Sequence, residues 1–198
     1  MSSPNGLPTV YEEEENIKQK IAKHLRFYSN KSNGLLKSLD DYINDMKEGQ
    51  KQIFYISGES KEFVENSVFL EKLNSRNIEV LYLIEAIDEY MIQNFKKYEE
   101  YEFVSVSKEG LKLDDSEKSD SDSKESEEKH KNLCKIIKEC LKDKIEKVII
   151  SDRIVNSPCC LVTGTHGWSA NMERIMKGQA LGDSSQKMYM ASKKIMER

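Results

Sequence analysis

The sequence predicts an α/β unit followed by an α+β unit, and the alternation of apolar segments is the main indication. Three short apolar runs, at 52–57, 78–84 and 103–106, are separated by segments with helical spacing. Strand, helix, strand, helix and strand in close succession indicate a three-layer parallel βαβαβ unit. Further along, two β-branched runs flank a turn signal and predict an antiparallel hairpin between two helices.

Two amphipathic helices are predicted before the parallel unit. The acidic residues 12–15 precede the first helix, where acidic side chains interact favourably with the helix dipole. Ser38 and Asp41 have the spacing of a capping box at the start of the second helix. We expect residues 1–11 to be a disordered leader, either native or added in cloning. The two buried faces are predicted to contain Ile17, Ile21, Leu25 and Tyr28 in the first helix, and Leu39, Tyr42, Ile43 and Met46 in the second.

Within the parallel unit, helical spacing runs over 62–74, and Asp88 can cap the next helix. The first loop, Ser57-Gly58-Glu59-Ser60, follows a strand as phosphate-binding loops do. It lacks both the Gly-x-Gly-x-x-Gly fingerprint and the Gly-Lys-Ser/Thr of a P-loop. We therefore interpret Gly58 as a turn residue, although a small α/β enzyme remains an alternative class.

The segment 114–128 contains acids, serines and two lysines, with no apolar residue. Such a composition cannot bury enough apolar surface to offset the entropy of ordering, so we expect a disordered acidic linker. Ser119, Ser121 and Ser123 are candidate phosphorylation sites in these acidic surroundings. Apolar residues at helical spacing return after 129 and predict a helix leading to the hairpin of 148–155 and 159–163.

A glycine-rich loop follows the hairpin, and a helical stripe begins at Trp168. Trp168, Met172 and Met176 recur at one face of the predicted helix. Gly178 and Gly182 disfavour a long helix, since glycine costs about 1 kcal/mol relative to alanine there. We expect this helix to be short or frayed.

Composition and spacing exclude several classes of function. The net charge of −4 argues against a nucleic-acid binder, and no apolar run is long enough to span a membrane. The three histidines and four cysteines have no metal-ligand spacing. Cys160 and His166 could form a thiol–imidazole pair, but a strand cysteine is more often part of a core. We predict no catalytic and no metal site.

The stretch from Ser157-Pro158-Cys159-Cys160 through 167–177, Gly-Trp-Ser-Ala-Asn-Met-Glu-Arg-Ile-Met-Lys, resembles the start of the C-terminal domain of the 90-kDa heat-shock protein chaperone family. Asp88-Glu89-Tyr90 and 108–111 resemble the last part of that family's middle domain. The Cys-Cys pair looks more like the cytosolic members, and a cytoplasmic location is expected. The resemblance implies a fragment: middle domain at 12–113, linker at 114–128 and a truncated C-terminal domain at 129–198.

The resemblance also implies a function and partners. Family members are ATP-dependent, homodimeric chaperones of the stress response that bind unfolded or partly folded client proteins and cochaperones. Their nucleotide site and catalytic arginine are expected outside this chain, so ATP and magnesium belong to the parent. The fragment should be a monomer or weak dimer, without cofactor, nucleic acid or membrane as partner. A purely structural connector between the ATPase and dimerisation parts is the alternative.

The resemblance implies that Trp168, Met172 and Met176 face bound client. Methionine adapts its shape to varied apolar partners, and the flanking glycines suit a mobile element. The competing interpretation is that the stripe belongs to a core, as one-sided apolar helices usually do. We therefore expect an exposed or half-exposed amphipathic element that binds client protein.

Overall fold

The computed structural model describes residues 10–111, 113, 120–142, 144–151, 153–179 and 194–197, with side chains from Glu13 onwards and, in the long helix, from His130. We call 10–113 the first part and 120–197 the second part. The helices are α1 (Val10–Ala22), α2 (Leu39–Asn44), α3 (Lys61–Glu65), α4 (Glu71–Ser75), α5 (Ala86–Asn94), α6 (Asp120–Cys140) and α7 (Ala170–Gly178). The strands are β1 (Tyr28–Ser29), β2 (Gln52–Ser57), β3 (Leu81–Leu83), β4 (Lys97–Tyr98), β5 (Tyr101–Ser105), β6 (Lys147–Ile149), β7 (Cys160–Thr163) and β8 (Lys194–Glu197).

A five-stranded sheet in the order β1-β3-β2-β5-β4 lies at the centre of the first part. β2 pairs in parallel with β3 and with β5, and Tyr55 lies opposite Leu81 while Phe54 lies opposite Val104. The parallel pairing expected from the apolar runs is therefore present. β1 and β4 pair antiparallel with β3 and β5, so the complete sheet is mixed.

The two faces of this sheet are packed by different elements, because successive strand residues point to opposite sides. On one face, Ile53 packs in a cluster with Leu39 of α2 and with Phe95. On the other face, Phe54 packs in a cluster with Leu70 and its neighbours. The first part thus has a core on each side of its sheet.

The capping box of Ser38 and Asp41 is present, as predicted. The helix predicted over 62–74 is instead interrupted by a 3₁₀ turn at Val68–Leu70, where the Ser67 hydroxyl accepts a hydrogen bond from Phe69 N at 3.4 Å. A serine that binds nearby backbone competes with a continuous helix in this way.

The start of α5 also differs from the prediction. Glu85 occupies the N-cap position, and Asp88 is the third residue of the capping box. The Asp88 carboxylate accepts a hydrogen bond from Glu85 N at 3.1 Å. Asp88 therefore stabilises the start of α5 from within the first turn, by accepting a hydrogen bond from the N-cap residue, and is not itself the N-cap.

α1 begins at Val10, so the leader expected over 1–11 does not extend to its predicted end, and residues 1–9 lie outside the described residues. Ile17 and Ile21 are 56% and 58% exposed, contrary to the buried face that we expected. Ala22 and Leu25 do belong to the core cluster. α1 therefore reaches the core only at its C-terminal end.

The predicted antiparallel hairpin is wrong. β6 and β7 do not pair with each other, because β8 lies between them, parallel to β6 and antiparallel to β7. β8 buries Ile195 in the small core that also contains Val162. Between β6 and β7 the chain contacts the first part, where the Arg153 guanidinium donates a hydrogen bond to the Val106 carbonyl oxygen.

The acidic segment expected to be disordered over 114–128 is helical from Asp120 onwards, as the first half of α6. Residues 114–119 lie outside the described residues. Once the amphipathic half of a helix has formed, propagation costs little, and acidic residues at the start favour the helix dipole. These two effects explain a helix in a stretch with no apolar residue.

Candidate functional site

A cavity of about 830 Å³ lies where the two parts meet. It is bounded by the end of β5, by α5 and by the glycine-rich loop before α7. β2 is the strand where the chain order reverses, and open α/β sheets bind ligands at such switch points. The residues that line it include Tyr55, Glu89, Phe103, Lys108, His166 and Trp168.

Lys108 lies at the wall of the cavity and bridges the two parts. Its Nζ donates hydrogen bonds to the carbonyl oxygens of Thr165 at 3.4 Å and Gly167 at 3.3 Å. Burial lowers the pKa of Lys108, although nearby Glu89 opposes this effect. The ammonium group therefore holds the glycine-rich loop in place by its backbone.

Glu89 of α5 joins the wall of the cavity to the start of α7. Only 3% of Glu89 is exposed, and its Oε1 accepts hydrogen bonds from Ser169 Oγ at 2.7 Å and Asn171 Nδ2 at 3.1 Å. Ser169 is also the N-cap of α7 and accepts a hydrogen bond from Met172 N at 2.9 Å. Burial, followed by the charge of Glu89, raises the pKa of Tyr55 to about 12.

The apolar stripe that begins at Trp168 is more buried than we expected, and Trp168 itself precedes α7, whose N-cap is Ser169. Trp168 is 9% exposed and Met172 is 3% exposed, so the expected exposure is wrong for both. Met176 is half-buried, and its sulfur lies 3.7 Å from Tyr90 Oη. The helix is short, as expected, and ends at Gly178. α7 packs against α5, which explains why a one-sided helix buries its stripe here.

Arg153 connects the second part to the end of β5. Its guanidinium donates hydrogen bonds to the carbonyl oxygens of Val106 at 2.9 Å and Lys108 at 2.7 Å. Arg153 Nε also lies 3.2 Å from Glu197 Oε2, and both side chains are almost fully buried. The Arg153 side chain therefore contacts both β8 and the first part. Its guanidinium also lies 5.9 Å from the centre of the Phe69 ring.

Glu71 makes a further polar connection between the parts. Its Oε2 accepts hydrogen bonds from the backbone N–H groups of Val155 and Asn156 at 2.9 Å and of Ser157 at 3.3 Å. The Ser157 hydroxyl donates to the other carboxylate oxygen. These donors, with the Ser157 hydroxyl first, lower the pKa of Glu71 to about 2.

Glu71, Glu89 and Arg153 did not emerge from the sequence as site residues. Arg153 lies between two β-branched pairs, Ile149-Ile150 and Ile154-Val155, and a charged residue flanked by apolar ones in this way can indicate a buried partner. The two glutamates lie in helical segments rich in charged residues, so their spacing does not distinguish them.

The thiol–imidazole alternative has no support in the geometry. Cys160 is buried, which raises its pKa to about 12, and the nearby Glu197 charge acts in the same direction. His166 is exposed in the glycine-rich loop. Of the candidate phosphorylation sites, Ser121 and Ser123 lie in α6, whereas Ser119 lies outside the described residues.

In the part of the chain that the structure describes, no helix is long and apolar enough to cross a bilayer. Within the same residues, no group of three or more His, Cys, Asp or Glu side chains could hold a metal ion.

The family model described as Hsp90 protein matches residues 7–198. Human heat shock protein HSP 90-beta-3 is 53% identical over 79% of this chain and 26% of its own length. Heat shock protein 83 of Leishmania donovani is 46% identical over 95% of this chain and 41% of its length. A solved middle domain of a Plasmodium falciparum heat shock protein is 43% identical, with a TM-score of 0.45, over 48% of this chain and 40% of that one.

These matches place the chain among the heat-shock chaperones. Because the family model matches nearly all of the chain, the chain belongs to the Hsp90 family. It spans 26% and 41% of the length of the two relatives named above. Other relatives are named as chloroplastic and mitochondrial proteins, so membership of the family does not determine the compartment.

Proposed function

We propose that this chain is a segment of an ATP-dependent chaperone and that it binds client and cochaperone proteins beside the junction of its two parts. The observation that carries the proposal is the cavity of about 830 Å³, which combines the aromatic side chains of Tyr55, Phe103 and Trp168 with charged groups such as Glu89 and Lys108. Aromatic surface can bury part of a bound protein, and polar groups can fix its orientation. Family membership supports the chaperone role.

The client surface that we propose contains Trp168, Met172 and Met176, with unequal roles. Met176 is half-buried and can contact a client directly. Trp168 and Met172 are buried, and we assign them the role of keeping α7 in position. Trp168 also lines the cavity, where a client side chain can meet its ring. A thioether adapts to apolar partners of varied shape, and an indole ring supplies a large apolar surface.

Anisotropy with a fluorescent, permanently unfolded protein tests this proposal on the chain itself. We expect Met176→Asp to weaken binding several-fold, since a charge in an apolar contact leaves an unpaired group. Met46→Asp is the matched control, because Met46 is also a partly buried methionine but packs on the core of the first part. Equal affinity of the parent chain and Met176→Asp would exclude α7 as the client surface.

A structural connector is the second candidate, and the polar links at the junction favour it. Glu71, Glu89 and Arg153 each bind backbone or side chains across the two parts. In this alternative, the chain binds no unfolded protein, and its variants act only on how the parts are held together. The same anisotropy measurement distinguishes the candidates, because a connector shows no saturable binding.

We further propose that this segment uses no nucleotide of its own and that ATP and magnesium act elsewhere in the parent. Gly58 follows β2 without the residues of a phosphate-binding loop. Calorimetric titration with ATP should give no heat of binding, and micromolar affinity would contradict the proposal. A monomer or weak dimer and a cytosolic location also stay predictions, to be checked by sedimentation equilibrium and by imaging of a fluorescent fusion.

A further inference from the structure

Ser157-Pro158 is one of two Ser-Pro pairs in the sequence, and the other is Ser3-Pro4. Residues 153–159 belong to no helix or strand. Pro158 is exposed, as are its neighbours Asn156 and Cys159, while Ser157 is half-buried. Protein kinases bind substrate segments in extended form, and exposed loops of this kind are accessible to them.

The Ser157 hydroxyl is part of the contact that holds the two parts together. It donates a hydrogen bond to Glu71, whose other carboxylate oxygen accepts from three successive backbone N–H groups of the same loop. The loop therefore forms a cradle for one negative charge, and Glu71 of α4 supplies that charge. A second negative charge on Ser157 would lie next to the first.

We propose that Ser157 is a phosphorylation site for a proline-directed serine/threonine kinase, and that its phosphorylation releases the 153–157 loop from Glu71. In the reaction, Ser157 Oγ attacks the γ-phosphorus of ATP, the bond to the bridging oxygen of ADP breaks, and the hydroxyl proton leaves through the kinase base. The product has lost the hydroxyl donor and carries close to two negative charges.

The release follows from the charges and from the lost hydrogen bond. A phosphoryl group next to a carboxylate disrupts a contact by like-charge repulsion. Arg153, at the start of the same loop, is held by the Val106 and Lys108 carbonyls and remains as the other anchor. The loop end near Ser157 should therefore open while the Arg153 end stays attached.

The first step of the test is phosphorylation of the purified chain by a mitogen-activated protein kinase with ATP, followed by peptide mass spectrometry. We expect phosphate on Ser157 as well as on Ser3, which reports that the kinase was active. Phosphate on Ser3 alone would overturn the assignment of the site. Ser157→Ala should remove the phosphate from the second peptide and leave the Ser3 peptide unchanged.

The second step measures hydrogen exchange of the Val155 and Asn156 amides in the phosphorylated chain. We expect exchange there to be faster by about tenfold, whereas the β2 amides remain protected and show that the fold is intact. Glu71→Gln is the control, because it keeps the size of the side chain and removes its charge; phosphorylation should then change exchange much less. Unchanged exchange, or an equal change in Glu71→Gln, would overturn the release mechanism.

Discussion

The two parts of this chain are stabilised in different ways. In the first part, both faces of the five-stranded sheet are packed, and side chains such as Leu39, Ile53 and Leu81 are fully buried. In the second part, the buried cluster is formed by Cys160, Val162 and Ile195, and the side chains packed against it include Val68 and Phe69 of the first part.

This difference shows that the second part depends on the first for its core. A small apolar cluster contributes little stability by itself, because small domains bury a smaller fraction of their surface on folding. Hydrogen bonds of Glu71, Glu89 and Arg153 make the relative position of the two parts specific, because each bond forms only when donor and acceptor are correctly placed. We therefore expect the second part to unfold before the first.

The largest effect is expected for Arg153→Ala. The change leaves Glu197 buried without its ionic partner, and breaking a buried pair costs about 3–5 kcal/mol. Hydrogen exchange should show β6, β7 and β8 losing protection while β2 and β3 keep theirs. Simultaneous loss of protection in all these strands would show that the parts unfold together.

The next effect is expected for Leu81→Ala, which truncates a fully buried side chain in β3. Such truncations cost about 2–5 kcal/mol, because a cavity remains. Because the core of the second part packs against the first part, urea denaturation should show that both parts are less stable than in the parent chain. Destabilisation of the first part alone would contradict the dependence that we infer.

A smaller effect is expected for Tyr42→Phe in the first part. The Tyr42 hydroxyl donates to the Glu79 carbonyl at 2.8 Å and accepts from Phe54 N at 3.0 Å, and it is fully buried. Its removal leaves two buried backbone groups with fewer partners, at a cost of about 1–3 kcal/mol. The midpoint of urea unfolding measures this change, and a midpoint equal to that of the parent chain would contradict it.

The contrast between the parts also explains which features the sequence predicts. Apolar runs at 52–57 and 103–106 are long enough to identify parallel strands, because strands covered on both faces are continuously apolar. The hairpin was wrong because β8 comes from far along the chain, and local turn chemistry at Asn156-Ser157-Pro158 cannot indicate a distant strand.

The burial of Trp168 and of the apolar side of α7 is likewise not predictable from local sequence. Trp168 and Met172 have a helical period that fits a core or a binding surface equally well, and only the position of α5 decides between them. Glu89 accepts hydrogen bonds from Ser169 and Asn171, residues distant in sequence, so no spacing rule connects them. Contacts between parts are therefore the portion of the site that sequence patterns do not predict.

The smallest effect is a pH dependence of the junction through Glu71. The folded pKa of about 2 lies below the ordinary 4.5, so the ionised carboxylate stabilises the contact above pH 4.5. This stabilisation should disappear as the pH falls from 4.5 towards 2. Hydrogen exchange of the Val155 and Asn156 amides, corrected for intrinsic rates, should reveal the loss, and Glu71→Gln should remove most of the pH dependence.

Asp88 provides an internal contrast, because its pKa is shifted in the opposite direction. Burial raises the pKa of Asp88 to about 6 from 3.8, so the folded state binds a proton that the unfolded state has released. The stability that Asp88 contributes therefore increases as the pH falls from 6 to 3.8 and is lost again as the pH rises. On acidification, α5 should become more protected in that interval, before the Glu71 contact weakens below 4.5. If Asp88→Asn leaves the protection of α5 as dependent on pH as in the parent chain, another group titrates there and the contrast fails.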